Sequence, residues 1–233
     1  MSALGVLLRK ELHATFTSPI AYVVSGVFLL VAGYTFALTL FFTKVANLIH
    51  LFHQVYVLLV LLTPVITMRA FAEERRSDTL ELLLTAPVRE IWIVLAKYLS
   101  AMALVATLLL LSFSYALILQ AYGAPDLGPI YGGYVALLLL ASLLVSVGAM
   151  WSSLTENQVV AASASLGTFL MLWFADSVAY VLPAPVDLFF VNASLLGHFA
   201  PMSRGSLFLS DVGYYVTGTL LALFLTTRVL ADR

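Results

Sequence analysis

Ten of the chain's 23 charged residues fall in one stretch, MRAFAEERRSDTLELLLTAPVREIWIVLAK (Met68–Lys97). Acids and bases mixed at this density suit ion pairing and docking. They do not suit catalysis, because none of the lysines, Lys10, Lys44 and Lys97, lies in a G-x-x-x-x-G-K-[ST] context, so a P-loop is excluded. No H-E-x-x-H, G-x-S-x-G or Rossmann glycine pattern occurs either. The absence of cysteine removes disulfides, thiolate chemistry and Cys-ligated metals. His50 and His53 share a helical face at i, i+3, but no carboxylate or third ligand stands near them in sequence, so hydrogen bonding at a membrane interface is the expected role. Asp176 falls about 25 Å along its apolar run at 1.5 Å per residue, which suits a hydrated interfacial carboxylate. The chain is expected not to be an enzyme, to hold no metal or cofactor, and to draw its energy from a partner.

The elements that position this stretch are apolar. Hydrophobic residues make up 62%, charged residues 10%, and the mean hydropathy is +1.05, which excludes a soluble domain. A net charge of −1 points to no nucleic-acid partner. The whole chain, 1–233, reads as a single transmembrane domain with six spans at about 20–42, 51–68, 91–122, 134–152, 159–182 and 212–229. Met1–Ser18 mixes Arg9, Lys10, Glu11 and His13 with leucines, as an interfacial helix does. The uncharged 23-residue run that follows is too long for a signal peptide's apolar core and reads as a retained span. Gly123–Gly133 (GAPDLGPIYGG) is rich in turn formers and reads as an external loop. Lys97 is expected to snorkel toward water. With both termini cytoplasmic, Arg9, Lys10, Arg69, Arg75, Arg76, Arg89, Lys97, Arg228 and Arg233 lie inside, against Lys44 and Arg204 outside, a strong positive-inside bias.

Within the charged stretch, Asp78 and Glu81 have the spacing of an N-cap and its N3 partner. Leu80, Leu83 and Leu84 then share a face, and Pro87 ends the helix. The result is a two-turn amphipathic helix about 10 Å long, too short to stand alone in water and in need of a docking surface. Glu73 and Glu74 are expected to pair with Arg69, Arg75 and Arg76.

RAFAEERRSDTLELLLTAPVREIWIVLAKYLSA resembles the segment between the second and third membrane helices of bacterial ABC-2 type permeases, most closely the gliding-motility type. RKEL (Arg9–Leu12), SSLTENQVVA (Ser152–Ala161) and the SRG tripeptide Ser203–Gly205 support the resemblance, which covers nearly the whole chain. It implies an all-α polytopic membrane protein like the type V exporters. Such a fold has six transmembrane helices, an N-terminal interfacial helix, a cytoplasmic coupling helix and an external re-entrant hairpin. The coupling residues would be Glu73, Glu74, Arg75, Arg76, Asp78, Leu80, Glu81, Leu83, Leu84 and Pro87. It also implies an ABC ATPase dimer that binds ATP and Mg, a second permease copy or related subunit, an auxiliary subunit with an extracytoplasmic domain, and a place in the bacterial inner membrane among its lipids. Copper-site maturation, lipid or polysaccharide export, and a non-transporting mechanical anchor stay open as alternatives.

Pro183–Asp211 is too interrupted to span and too apolar for a free loop, which fits a re-entrant or interfacial hairpin. Phe189, Phe190, Leu195, Phe199 and Arg204 are its candidate external gate residues.

Overall fold

The computed structural model describes residues 3–43, 47–77, 79, 88–179, 181–183 and 185–231. No strand occurs among them. The expected coupling helix, with Asp78, Leu80, Glu81, Leu83, Leu84 and Pro87, lies outside the described residues.

Six helices are long and apolar enough to cross a membrane. They are α2 (Pro19–Thr43), α3 (Ile49–Thr67), α5 (Glu90–Tyr122), α6 (Leu127–Leu154), α7 (Gln158–Ala179) and α10 (Leu209–Ala231). Four shorter helices complete the described residues: α1 (Ala3–Thr17), α4 (Ala72–Arg76), α8 (Val186–Ala193) and α9 (Leu195–Ser203). In a lipid environment only closed helical hydrogen bonding satisfies the backbone, which is why so apolar a chain resolves into helices.

The bundle is built around α6. Of its most apolar 18-residue stretch 72% is buried, against 22% for α2 and α7, and it packs against α3, α5, α7, α9 and α10. Its small residues permit that crowding. A Cβ at Gly133 would run into the Phe52 ring of α3, and one at Gly148 into the Thr67 side chain. Without a hydrophobic drive between helices in lipid, such close approach is what holds them together.

The same glycines explain a boundary the sequence misplaces. α6 begins at Leu127, seven residues before the expected 134, so most of GAPDLGPIYGG is helical. Asp126 caps its first turn by accepting from the Gly128 N–H at 3.1 Å. Gly132 serves packing rather than turning: a Cβ there would lie 2.6 Å from the Met202 carbonyl oxygen at the end of α9. Gly205, at φ +92° in the left-handed region that favours glycine, completes this contact by lying against Gly128 and Pro129. The GPIYGG and SRG motifs are therefore two halves of one joint.

Several serines inside the spans bond locally, whereas the buried Tyr56 and Thr63 hydroxyls of α3 have no hydrogen-bond partner among the described residues. Ser112, Ser146 and Ser165 donate to carbonyls three or four residues back. Ser142 links three helices, at 3.0 Å from the Tyr98 hydroxyl of α5 and 2.9 Å from the Thr219 hydroxyl of α10.

Gly133→Ala forces a methyl into the Phe52 ring and should destabilise the protein by about 1–3 kcal/mol. Gly26→Ala, where nothing lies within 4 Å, should be neutral or stabilising. Thermal unfolding of both variants in detergent checks the pair.

Candidate functional site

The charged stretch enters the structure through the turn that joins α3 to α4. Five residues cannot make a stable helix alone, and α4 is held from outside. The Ser152 hydroxyl of α6 accepts from the Phe71 N–H at 3.0 Å and the Ala72 N–H at 3.1 Å, and donates to the Met68 carbonyl at 3.0 Å. A serine has one donor and two acceptor sites, so this buried hydroxyl is fully used in capping α4 and closing the α3 end. A cap of this kind ordinarily comes from the chain just before the helix; here it comes from 80 residues downstream.

Arg75 strengthens the same seam. Its guanidinium donates to the Ser153 carbonyl at 2.7 Å and lies 3.8 Å from Glu156. Arg69 donates to the Gln158 side chain at 3.3 Å. The turn between α6 and α7 that receives these contacts is stiffened by Asn157, whose side chain accepts from the Val159 N–H at 2.9 Å, and by Thr155, which accepts from the Asn157 N–H. The SSLTEN motif is thus the receptor for RAFAEER.

On the opposite side, Glu74 is 2.9 Å from the Lys97 ammonium of α5. Glu11 of α1 lies 3.4 Å from the same ammonium, and Lys10 stands 3.9 Å from Glu11 and 4.0 Å from Glu74. The Phe71 ring centroid is 5.4 Å from Lys97 Nζ, within cation–π range. Lys97 does not snorkel: its side chain is 4% exposed. A desolvated ammonium needs paired charges, and the two glutamates and the Phe71 face provide them. The result is a charged joint that ties α1, α4 and α5 together at one point.

The two adjacent glutamates separate here. Among the described residues Glu73 pairs with Arg69 alone, at 3.9 Å and with both side chains about half exposed, whereas Glu74 turns inward. Arg76 is exposed on α4. Sequence reasoning placed these residues in one ion-pair cluster and missed Glu11, Ser152 and the burial of Lys97. The signal present was RKEL itself, an acid on a helix otherwise suited to a basic interface.

At the other end of the bundle the five candidate gate residues divide. Leu195 and Phe199 of α9 are fully buried, with the Phe199 ring 5.0 Å from Tyr56. Phe189 is 71% exposed on α8, Phe190 lies edge-on to it at 5.6 Å, and Arg204 is exposed beyond α9. A pair that sequence reasoning did not single out fixes this hairpin: His198 Nδ1 is 2.8 Å from the buried Asp211 carboxylate, and the imidazole stacks on Tyr214 at 4.2 Å. Tyr214 and Tyr215 donate to the Ala193 and Leu195 carbonyls, securing the α8–α9 corner to α10.

These features define a multi-pass helical membrane protein whose charged loop is fastened to four separate helices. A family model for ABC-2 family transporter proteins matches residues 6–191, and the chain belongs to that family. No individual curated protein matches it significantly. The family supplies the membrane component of ABC transporters rather than the ATPase, and generally works with an ABC ATPase partner.

Removing one partner from a buried ion pair typically costs about 3–5 kcal/mol, whereas an exposed pair is worth about 0–1 kcal/mol. Lys97→Met should therefore destabilise strongly and Glu73→Gln barely. Adding Glu74→Gln to Lys97→Met should recover part of the loss. Equilibrium unfolding in a mixed-detergent titration measures all three.

Proposed function

We propose that this chain is the permease subunit of an ATP-driven transporter, and that the segment after α4 couples it to a cytoplasmic ATPase dimer. The observation that carries the reading is the double fastening of α4, by Ser152 to α6 and by Lys97 to α5 and α1. A docking segment attached in this way passes displacement to the central helix of the bundle instead of dissipating it in a loose loop. The family's usual ABC ATPase partner supports the same reading. The arginine surplus at this end supports a cytoplasmic setting for it, with both termini inside and the α8–α9 hairpin outside.

In this scheme the segment with Asp78, Leu80, Glu81, Leu83, Leu84 and Pro87 rests on the ATPase, and Glu73, Glu74, Arg75 and Arg76 lie at its approach. ATP-driven closure of the ATPase pair would shift the joint and rock α3, α5 and α6 together. Moving a gate from 1:99 to 99:1 takes about 5.5 kcal/mol of differential binding. A second copy of this chain or a related permease would complete the pathway. The resemblance of RAFAEER…AKYLSA to the gliding-motility type supports an added subunit with an extracytoplasmic domain and a bacterial inner membrane setting.

The hairpin would close the external end. α8 has no buried residue, and exposed Leu188 and Phe189 suit the outer leaflet, while α9 seals the bundle with Leu195 and Phe199.

Leu83→Asp should allow membrane insertion yet abolish ATPase co-purification and nucleotide-dependent activity; unchanged co-purification would remove the coupling role. The hairpin is tested separately in this cysteine-free chain. A cysteine at Phe189 should resist a membrane-impermeant thiol reagent and one at Ser206 should react. Equal labelling of both would show α8 in water.

A further inference from the structure

Between α1, the start of α2, the end of α3 and α5 lies a cavity of about 470 Å³, within the range of about 300–1,000 Å³ usual for small-molecule sites. Its walls change character along α5. Lys97 belongs to the charged joint, whereas Leu104, two turns on and about 10 Å away, joins Ile20, Val65 and Ile66 in an apolar wall. A ligand that fits both walls is an amphiphile with a charged head.

The charges specify the head. Lys10, Arg69 and Lys97 line the cavity together with Glu11, Glu73 and Glu74, so bases and acids balance. That balance argues against an anion and for a zwitterion. Lys97 is committed to Glu74 at 2.9 Å. Lys10 and Arg69 are 61% and 44% exposed and make long ion pairs of 3.9–4.0 Å; Arg69 gives its Nε–H to Gln158, which leaves its terminal guanidinium N–H groups and the Lys10 ammonium as donors for a phosphate. On the acidic side, Glu74 Oε2 is closed even to a water-sized group, whereas Glu73 lines the cavity, is half exposed and lies 3.9 Å from Arg69, which leaves carboxylate lone pairs for a donor. A carboxylate in that state takes a charge-assisted hydrogen bond from a ligand. A primary ammonium provides three N–H donors; a quaternary choline provides none.

We propose that this cavity binds an amine-bearing phospholipid, of the phosphatidylethanolamine class, from the adjoining leaflet. The ammonium sits on the Glu73 carboxylate, the phosphate on Lys10 and Arg69, and the upper acyl chains lie along Ile20, Val65 and Leu104. The bound lipid would wedge α1 against the joint, so that α4 is set by the membrane as well as by its own contacts.

The purified full-length chain is equilibrated with vesicles of equal parts phosphatidylethanolamine, phosphatidylcholine and phosphatidylglycerol, and the retained lipids are identified by native mass spectrometry. Phosphatidylethanolamine should be enriched roughly tenfold over each of the others, the discrimination of one charge-assisted hydrogen bond. Glu73→Gln, which leaves the Lys97 joint intact, should lower the enrichment. Ala14→Trp should do the same by filling the cavity from α1, where Ala14 lines it but takes no part in the ion pairs. Millimolar glycerophosphoethanolamine, which has the head without the chains, should leave the lipid in place. Retention at the bulk ratio, preference for phosphatidylglycerol, full displacement by glycerophosphoethanolamine, or undiminished enrichment in folded Ala14→Trp would overturn the assignment.

Discussion

The structure turns on a single ammonium group. Lys97 is carried by a 33-residue helix whose remaining length is nearly all apolar, and it is withdrawn from water to within 2.9 Å of Glu74 and 3.4 Å of Glu11. Its desolvation is tolerable only while both carboxylates are present. That requirement sets where α1 lies, because Glu11 must reach the ion pair, and it sets the angle at which α4 leaves α3. A charge that is costly to bury thus acts as a locating pin for three elements, beside the apolar cluster in which Leu7 of α1 and Ile93 and Val94 of α5 pack around Phe71.

The second constraint is the closeness of the helices to α6. Gly133 and Gly148 bring α3 against it at both ends, and the terminal Ser152 of the same helix then fixes the α3–α4 turn. Motion imposed on α4 is therefore delivered to the most enclosed helix of the bundle. At the opposite end that helix meets α9 and the Gly205 turn, so one rod runs from the charged joint to the hairpin. A membrane component of an ABC transporter needs such a rod, since its energy enters at one face and must act at the other.

Much of this was legible in the sequence, for identifiable reasons. Uncharged runs of span length reveal helices because lipid allows little else, and RAFAEER with SSLTEN carries the family signal that the match over residues 6–191 bears out. What could not be read is what depends on which surfaces meet. GPIYGG has the composition of a turn, and only its contacts with Phe52 and Met202 reveal a packed helix start. Glu73 and Glu74 are equivalent in sequence, yet a rotation of 100° on a helix sends one to solvent and the other to Lys97. His198 and Asp211 are 13 residues apart across a corner, a separation that no helical or strand period marks. Long-range partners of buried polar groups were the missing information throughout.

The central claim is that α4 and the end of α6 move as one body. Spin labels at Ser77, exposed at the end of α4, and at Leu154, exposed at the end of α6, report their separation directly by pulsed electron resonance in the assembled complex. The distance should be the same without nucleotide and with ATP bound, and its distribution should broaden in Ser152→Ala. A nucleotide-dependent change of several ångströms in the unaltered protein would show that α4 swings independently of the bundle, and would contradict the account.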